Sequence, residues 1–500
     1  MPPRVGDIYS VYSTRLRQYV ACQVTALKES RERKGAQLAA VLQLDWSGDA
    51  LPQASELGAM RPLVADFFFW RGKHDHAYAS AEVPAAYTLA GNIAPLVLDD
   101  TTTHGDWHAG DTLYRQRAWE QIDLTRRQRF KAASGDVKVT VGGHVLRQDT
   151  RRIDDTVLQS IMDFAELDQL PCLMHIHTEH GTQALADFVK GHPFITELLW
   201  RSAQVAELDL RASCLGSLSI DASGLAKVLL NRDLGVLVLR GEISPQLQLH
   251  SDAEGRALVV YGSGRLPGFA GLDHLAGLSL SALTQIDLDG VLRRFPHLTY
   301  LQLQGKPGMV SNLSAIAGLA QLQTLSLHDL FGYTPEQFPS PQQLPRLSTL
   351  WLSSVPFDVA QAVKHSYKNA AAQGLDLSVT QPRKPAWLDE NLHNPFRDWD
   401  GREQISTAQA KKAATAYKTL LSATRAIDAS MDAEAVQAAL SAMVAAYVTS
   451  FNQLDARNKL IGTVENEEIH AVLAGCLRAL GTKLADVDGL LAQFDRLREF

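Results

Sequence analysis

Three histidines in the middle of the chain have the residue type and spacing of a metal site. His175, His177 and His180 lie close together in the sequence, and in an extended strand the first two share one face. Neutral imidazoles at this spacing can bind zinc or another borderline metal ion. Glu179 is the only acid beside them, however, and the pattern is more typical of surface or turn histidines. We therefore predict no bound metal and no cofactor, and keep a histidine-based enzyme as an alternative.

The motifs of common catalytic and nucleotide-binding sites are missing from the sequence. It contains no G-x-x-x-x-G-K-[ST] phosphate loop, no G-x-S-x-G nucleophile elbow and no H-E-x-x-H zinc helix. Gly262-Ser-Gly264 lacks the third glycine and the strand-to-helix context of a dinucleotide site. The sequence therefore predicts a protein that is not an enzyme, and attention moves to residues that could bind a partner.

Leucines recur between Val205 and Ser353 in the frame L-x-x-L-x-L. The two leucines of each L-x-L pair lie on the same face of a strand, because side chains alternate. The pairs that begin at Leu278, Leu301, Leu325 and Leu350 are separated by 23, 24 and 25 residues. This pattern resembles the leucine-rich repeat, in which each repeat adds a strand and a return segment to a solenoid. A single repeat cannot bury its apolar face alone, so the resemblance implies a stack of strands.

The period halves upstream of this series, where the frames follow one another every nine or ten residues. These frames begin at Val205, Leu215, Leu225 and Leu234. We interpret them as turns of about twenty residues that carry a strand on each of two walls, a variant within the repeat class. Cys172–Ile176 and Ile195–Trp200 are predicted as degenerate strands, with a short helix near 184–190 between them.

One position departs from the family motif. The motif places an asparagine three residues beyond the L-x-L pair, where its amide links neighbouring turns. In this sequence the position is held by Ser213, Ser223, Lys306, Leu330 and Val355. A serine hydroxyl forms a weaker link and the other side chains do not replace the asparagine. The resemblance therefore implies a solenoid but does not define its curvature.

The residues between and beside the paired leucines are the candidate partner-binding residues, because on a strand they point away from the buried face. Trp351 stands among small hydroxyl side chains and is of the residue type that anchors protein interfaces. Packing of its ring beneath the following loop is the alternative. The nine candidates are Tyr300, Gln302, Gln304, Thr324, Ser326, His328, Thr349, Trp351 and Ser353.

The first hundred residues are predicted to form a β-rich domain. Gly6–Tyr12 and Arg17–Val24 have the pattern of a hairpin, and a charged insert, Lys28–Lys34, separates them from a further strand at Gln37–Trp46. Asp66–Trp70 has the composition of an aromatic strand. The opening Gly-Asp-Ile-Tyr together with Tyr-Val-Ala-Cys-Gln-Val resembles the start of a bacterial toxin-immunity domain. This resemblance implies a small barrel and a toxin domain as partner.

Helices are predicted around and after the repeat. Leu113–Ala133 has the charge pattern of one amphipathic helix, and Val137–Leu146 that of a hairpin. Ala360–Ala372 is predicted to cap the open end of the solenoid. Four helices are predicted in the alanine- and leucine-rich C-terminus, near 407–427, 432–453, 464–481 and 485–498. Thr463 is predicted to cap the third of them. This tail resembles that of bacterial cytosolic leucine-rich-repeat proteins, a likeness that implies no activity.

Composition and charge narrow the class of protein further. The 500 residues are 46% hydrophobic and 21% charged, with a net charge of -7, so the basic stripe of a nucleic-acid-binding protein is not expected. The four cysteines show no C-x-x-C spacing, which favours a reducing compartment over a disulfide framework. The first residues lack an apolar leader and no apolar run is long enough for a membrane span. We therefore predict a cytoplasmic protein.

The predicted fold class is α/β, with a leucine-rich-repeat solenoid flanked by an N-terminal β-rich, barrel-like domain and a C-terminal helical domain. The predicted boundaries are 1–110 for the β-rich domain, 111–165 for a helix and hairpin linker, 166–375 for the solenoid with its cap, 376–405 for a linker and 406–500 for the helical domain. The predicted function is protein binding, as an immunity protein that neutralises a cognate bacterial toxin by occluding its active site. The alternative is an intracellular scaffold or regulatory protein without a toxin partner.

Overall fold

A computed structural model describes residues 2–30, 35–203, 205–427, 432–456, 459–480 and 486–500. Residues 31–34 of the predicted charged insert lie outside these ranges. The chain groups into two compact units, which are described separately. Unit 1 comprises Met1–Leu303, Ala315–Leu325 and Gln343–Leu347, and unit 2 comprises Gln304–Ser314, Ser326–Gln342 and Ser348–Phe500.

Runs of strands predominate in the described chain up to residue 380, and helices follow. The strands are β1 (Asp7–Ser13), β2 (Gln18–Glu29), β3 (Gln37–Gly48), β4 (Val64–Ala65), β5 (Lys73–His74), β6 (His76–Ser80), β7 (Thr88–Asn92), β8 (Lys138–Val141), β9 (His144–Arg147), β10 (Arg152–Ile153), β11 (His175–Gly181), β12 (Glu197–Ala203), β13 (Glu207–Asp209), β14 (Ser217–Asp221), β15 (Lys227–Leu229), β16 (Val236–Arg240), β17 (Gln248–His250), β18 (Val259–Ser263), β19 (Gly277–Asp287), β20 (Tyr300–Ser311), β21 (Thr324–Phe331), β22 (Thr349–Ser353) and β23 (Asp376–Thr380). The α-helices are α1 (Ala54–Leu57), α2 (Asp111–Glu120), α3 (Leu124–Ala132), α4 (Asp155–Leu158), α5 (Gln183–Gly191), α6 (Leu288–Arg294), α7 (Phe357–Ser366), α8 (Lys368–Ala372), α9 (Pro385–Asn391), α10 (Thr407–Arg425), α11 (Ala433–Asp455), α12 (Thr463–Arg478) and α13 (Val487–Leu497).

The N-terminal part of unit 1 is an antiparallel sheet in the order β6-β3-β2-β1-β7. The predicted hairpin is confirmed, because β1 pairs with β2 in an antiparallel register. The predicted strand at Gln37–Trp46 is confirmed as β3. In the described residues β6 and β7 remain at the two edges of this sheet, so it does not close into the barrel that the resemblance implies.

The prediction of an aromatic strand at Asp66–Trp70 is wrong. These residues form a turn, with Phe68 in the left-handed region at φ 46°. The Phe68 ring lies 5.6 Å from that of Trp119 and 5.8 Å from that of Phe130, within a buried aromatic cluster. Aromatic side chains are common in strands but they are buried equally well at a turn, so composition alone does not define a strand.

The prediction of one helix over Leu113–Ala133 is also wrong, because the segment forms α2 and α3. The Asp123 carboxylate accepts a hydrogen bond of 3.1 Å from the backbone N–H of Arg126 and so caps the start of α3. An aspartate favours this position over a helix interior, because it satisfies an N–H group that has no partner within the helix. The hairpin predicted after these helices is confirmed as β8 and β9.

In unit 1 a long sheet contains the strands β10-β11-β12-β14-β16-β18-β19 in this order, and in unit 2 β22 is paired with β23. The pairings from β10 to β19 and that of β22 with β23 are parallel. In unit 1 a second parallel sheet, β13-β15-β17, takes the strands that alternate with β12, β14, β16 and β18 in sequence. The predicted turn with a strand on each of two walls is therefore confirmed, and the arrangement is consistent with a leucine-rich-repeat-like solenoid.

Inward leucines and valines form the core of these turns. Leu218 and Leu237 on the long sheet, and Leu208 and Val228 on the second sheet, are at most 1% exposed. Burial of such a side chain contributes about 1.5–3 kcal/mol to folding. The first leucines of the later pairs, Leu278, Leu301, Leu325 and Leu350, are fully buried as well. The frame of paired leucines therefore identifies the buried face of every strand it covers.

The helix predicted at Ala360–Ala372 does not end the sheet. Two helices, α7 and α8, cover this segment and lead to a further strand, β23, which pairs in parallel with β22 in unit 2. Leu377, Ser378 and Val379 are all partly exposed in β23, so this strand has no fully buried face, and the leucine that leads the repeat frame is missing. The helices therefore form a crossover between parallel strands and not a terminal cap.

The four C-terminal helices of unit 2 are confirmed within a few residues as α10, α11, α12 and α13. The prediction that Thr463 caps the third helix is wrong, because Thr463 is its first residue and Gly462 precedes it. The Gly462 N–H donates to the Glu465 carboxylate at 2.9 Å. The aromatic residues Phe396 and Trp399 before these helices are buried against Phe451. None of the described helices is both long and apolar enough to cross a membrane.

Candidate binding surface

The outward side chains of the long sheet form two rows across six neighbouring strands of unit 1. Parallel neighbours pair residue by residue and so align each row. The first, the Leu199 row, consists of His177, Leu199, Ser219, Val238, Tyr261 and Ser279, of which Ser279 is buried. The second, the Val236 row, consists of His175, Glu197, Ser217, Val236, Val259 and Gly277.

Strand alternation places these side chains outward. On β16, Leu237 and Leu239 are buried, whereas Val236 and Val238 are partly exposed. Tyr261 on β18 is likewise partly exposed, next to the buried Val260. The same alternation holds along each strand of a sheet with one buried face.

The centre of the Leu199 row is apolar and its surroundings are charged. Leu199, Val238 and Tyr261 are separated only by the small Ser219. Arg240, two residues beyond Val238 on β16, donates from Nε to the Ser219 hydroxyl at 3.1 Å. An apolar centre with a polar rim is typical of surfaces that bind proteins.

The predicted histidine cluster contributes a hydrogen bond at the start of these rows. His177 Nε2 lies 2.6 Å from Glu197 Oε1, and this hydrogen bond lowers the pKa of the Glu197 carboxyl. His175 belongs to the Val236 row and His180 is exposed. In the part of the chain that the structure describes, no three or more histidines, cysteines or acids are grouped so that they could hold a metal ion.

Three of the nine predicted residues belong to unit 1. Tyr300, Gln302 and Thr324 are each partly exposed beside a buried leucine. The Tyr300 hydroxyl donates to the Gln302 side-chain oxygen, which orients both side chains on the outward face of β20. The predicted outward orientation therefore agrees with the burial of these three residues.

The other predicted residues belong to unit 2, and Trp351 is the most exposed aromatic side chain among them. It is 44% exposed, and its Nε1 donates to Asp376 Oδ2 on β23 at 3.0 Å. The ring is therefore held on the surface and is not buried beneath the following loop. Ser326 differs, since it is only 3% exposed and its hydroxyl lies 2.7 Å from His328 Nε2. Thr349 and Ser353 are partly exposed.

A polar pocket of about 260 Å³ in unit 2 brings some of these predicted residues together with arginines. Its lining includes Gln304, His328, Ser353, Arg383, Arg397 and Arg402. Arg383 lies against the Trp387 ring at 4.3 Å and pairs with Asp400 at 2.8 Å. Burial raises the pKa of the Asp329 carboxyl in the same lining. The three arginines follow the repeat in sequence, where no periodic pattern indicates them.

The nine residues predicted from the sequence do not include the Leu199 row. Its signal is visible in the segment Val236-Leu-Val-Leu239, where apolar residues occupy the positions between inward leucines. A strand that is apolar at every position has a second face that is not suited to water. The outward face of β16 is therefore apolar at Val236 and Val238.

The strand order and the outward rows define the class of protein, an α/β strand-repeat protein with a partly apolar sheet face. No protein-family model matches the chain. No curated protein sequence matches it. Among solved structures, internalin C2 from Listeria monocytogenes is similar with 18% identity and a TM-score of 0.20, over 43% of this chain and 85% of that one. This likeness is too small to assign a fold. The description of the fold therefore depends on the strand register alone.

Proposed function

We propose that the outward face of the long sheet binds another protein. The observation that carries this proposal is the Leu199 row, where Leu199 on β12, Val238 on β16 and Tyr261 on β18 stay partly exposed and only the small Ser219 on β14 lies between the first two. Single apolar residues are ordinary on a surface, but a contiguous apolar patch with a polar rim favours an interface. The partner would cover these three side chains.

The residues predicted from the later repeats are proposed as further contacts. Trp351 is the proposed anchor in unit 2, because a large exposed ring bound to Asp376 loses little conformational freedom on binding. Loss of such an anchor costs about 2 kcal/mol or more of binding free energy. Ser326 is too deeply buried to contribute.

The proposed partner is a bacterial toxin domain, which the chain would neutralise by covering its active site. The resemblance of the opening Gly6–Tyr9 and Tyr19–Val24 segments to a toxin-immunity domain supports this class of partner. A stable interface of this type buries roughly 1,600 Å². A scaffold or regulatory role without a toxin is the alternative outcome.

Capture of a partner from cells that carry the neighbouring genes tests the proposal. We expect Val238→Asp to weaken capture of a stoichiometric partner at least tenfold, because the charge would be buried in the interface. Val145→Asp is the matched control, since Val145 is a 70% exposed valine on the separate β8-β9 hairpin. Equal capture by both folded variants would exclude the outward face as the interface.

Growth assays distinguish the two classes of partner. If the captured protein stops growth when expressed alone, and co-expression of this chain restores growth, the immunity role is supported. Restoration should fail with Val238→Asp and persist with Val145→Asp. A captured partner that is harmless when expressed alone would replace the immunity role with that of a scaffold.

A further inference from the structure

A second site in unit 1 shares no residue with the outward rows. It is a cavity of about 450 Å³ bounded by one face of α2, the turn at Phe68 and the residues just before β11, β12, β14 and β16. This volume lies within the range of about 300–1,000 Å³ that is usual for small-molecule sites. The lining therefore indicates what kind of molecule fits.

The interior of the cavity is apolar and aromatic. The apolar lining residues are Phe68, Ala118, Trp119, Ile122, Met174 and Pro193. Trp119 is only 3% exposed and its ring contacts that of Phe68 at 5.6 Å, so the floor is held rigidly by the aromatic cluster. A rigid apolar floor favours a ligand with a flat or hydrocarbon body.

Two glycines leave this space open. Gly216 and Gly235 occupy equivalent positions before β14 and β16, and the N–H of Gly235 donates to the carbonyl of Gly216 at 3.0 Å. Neither has a positive φ, and a Cβ on either would meet a single backbone oxygen, at 3.8 and 3.7 Å respectively. The next turn has the buried Leu258 at this position. Neither backbone conformation nor close packing thus accounts for the glycines, whereas an occupant of the cavity does.

The polar part of the lining carries a net positive charge. Asp233 already accepts a hydrogen bond of 2.5 Å from the Tyr114 hydroxyl. The nearest carboxylate oxygen to Arg15 belongs to Asp111, at 3.9 Å, and Arg115 is exposed without an ion pair to any described residue. Two guanidinium groups with weak or no ion pairs therefore stand beside an apolar floor, which suits an anion with an apolar body.

We propose that this cavity binds a small apolar carboxylic acid. Its carboxylate would lie at Arg15 and Arg115, and its aryl or hydrocarbon body would lie on Trp119 in the space that Gly216 and Gly235 leave. This site is independent of the proposed protein interface, because no lining residue belongs to the Leu199 row or the Val236 row.

Titration of the full-length protein with 2-naphthoate and with its neutral amide tests the charge. We expect the acid to bind at least tenfold more tightly than the amide in calorimetry, with quenching of tryptophan fluorescence. Arg115→Gln should weaken the acid several-fold and leave the amide unchanged. Arg265→Gln is the control, because Arg265 is exposed and lies outside the cavity lining. Equal affinities for acid and amide, or no binding at millimolar concentration, would overturn the proposal.

Filling the cavity tests its position. Gly235→Leu should abolish binding of both compounds without lowering the melting temperature, since a Cβ there meets no close neighbour. Gly191→Leu is the matched control, because Gly191 at the end of α5 also has open space around it and lies outside the cavity. A folded Gly235→Leu protein that binds 2-naphthoate normally contradicts the site. If that variant does not fold, Gly216→Leu and the Arg115→Gln comparison decide the question.

Discussion

His108 and His192 both belong to unit 1, yet their surroundings shift their pKa values in opposite directions. His108 Nε2 lies 2.9 Å from Asp75 Oδ2, and this hydrogen bond raises the pKa of His108 to about 9. The Thr112 hydroxyl donates to the same carboxylate. His192 is 5% exposed among aromatic rings, and burial lowers its pKa to about 4. The two histidines therefore make stability depend on pH at opposite ends of the range.

The pair of His108 with Asp75 should stabilise the fold below neutral pH. A raised pKa means that its contribution is complete below the ordinary value of 6.5 and is lost as the pH rises through about 9. We expect His108→Gln to lower the unfolding free energy by about 1–2 kcal/mol at pH 6, and by much less at pH 10. Urea denaturation at both pH values measures the difference. His144→Gln, an exposed histidine, is the control, and an equal loss at both pH values would contradict the pair.

His192 should make the fold sensitive to acid. Its lowered pKa means that the unfolded chain binds a proton first, so stability falls as the pH drops from 6.5 towards 4. The shift corresponds to about 3 kcal/mol over this interval. We expect His192→Leu to have a flatter dependence of unfolding free energy on pH than the native protein. Parallel curves for the two proteins would show that His192 titrates normally.

At the scale of elements, strand alternation separates the buried side chains of β16 from the outward ones. Leu237 points inward and is fully buried, and Val238 beside it points outward and is partly exposed. We expect Leu237→Ala to cost about 2–5 kcal/mol of unfolding free energy because it leaves a cavity, and Val238→Ala to cost less than about 1 kcal/mol. Thermal and chemical denaturation measure both. A larger loss of unfolding free energy for Val238→Ala than for Leu237→Ala would mean that Val238, and not Leu237, points into the core.

The elements with a regular period are those that the sequence predicts correctly. The spacing of paired leucines identifies the strands of both walls, because burial of one face imposes a period of two along the strand. The C-terminal helices are predicted from alanine and leucine spacing, because burial of one helix face imposes a period of about 3.6 residues. The segment Asp66–Trp70 and the break at Asp123 depend on tertiary packing and on one capping bond, which no period records.

The candidate site is harder to predict than the fold. The sequence leaves open whether Trp351 lies on the surface or beneath the following loop, and its exposure of 44% agrees with the outward position that the repeat register gives it. The cavity at Trp119 combines residues from α2, from a turn and from four separate turns of the repeat, so it exists only after these are packed. Gly216 and Gly235 are the residues in the sequence that indicate the cavity. Many glycines occur for reasons of backbone conformation alone, however, so these two do not predict a cavity without the structure.

At the scale of the whole molecule, the chain groups into two compact units. In unit 2, Trp399 is buried and its Nε1 donates to Glu468 at 2.7 Å, while Arg402 pairs with Glu468 at 2.6 Å and with Glu465. Proteins with more than one compact unit commonly unfold in more than one step. The predicted division into five segments, from 1–110 to 406–500, remains a prediction.

We expect chemical denaturation of the full chain to show more than one transition. Fluorescence and circular dichroism should give different midpoints, because tryptophans and helices are distributed unequally between the two units. Trp399→Phe should remove fluorescence change from only the transition of unit 2. A single transition with the same midpoint for both probes would show that the two units unfold together.

In unit 1 each turn of the repeat between β12 and β17 contributes one strand to the long sheet and one to the second sheet. The width of the sheet face therefore depends on the number of complete turns. Leu218 and Leu237 occupy equivalent places on consecutive turns, so loss or duplication of one complete turn leaves every remaining strand in phase. Each such event would shorten or lengthen the face by one strand spacing, about 4.8 Å. A change of a few residues instead shifts the inward leucines out of phase. Duplication of one complete turn would thus lengthen the sheet face without changing the rest of the core.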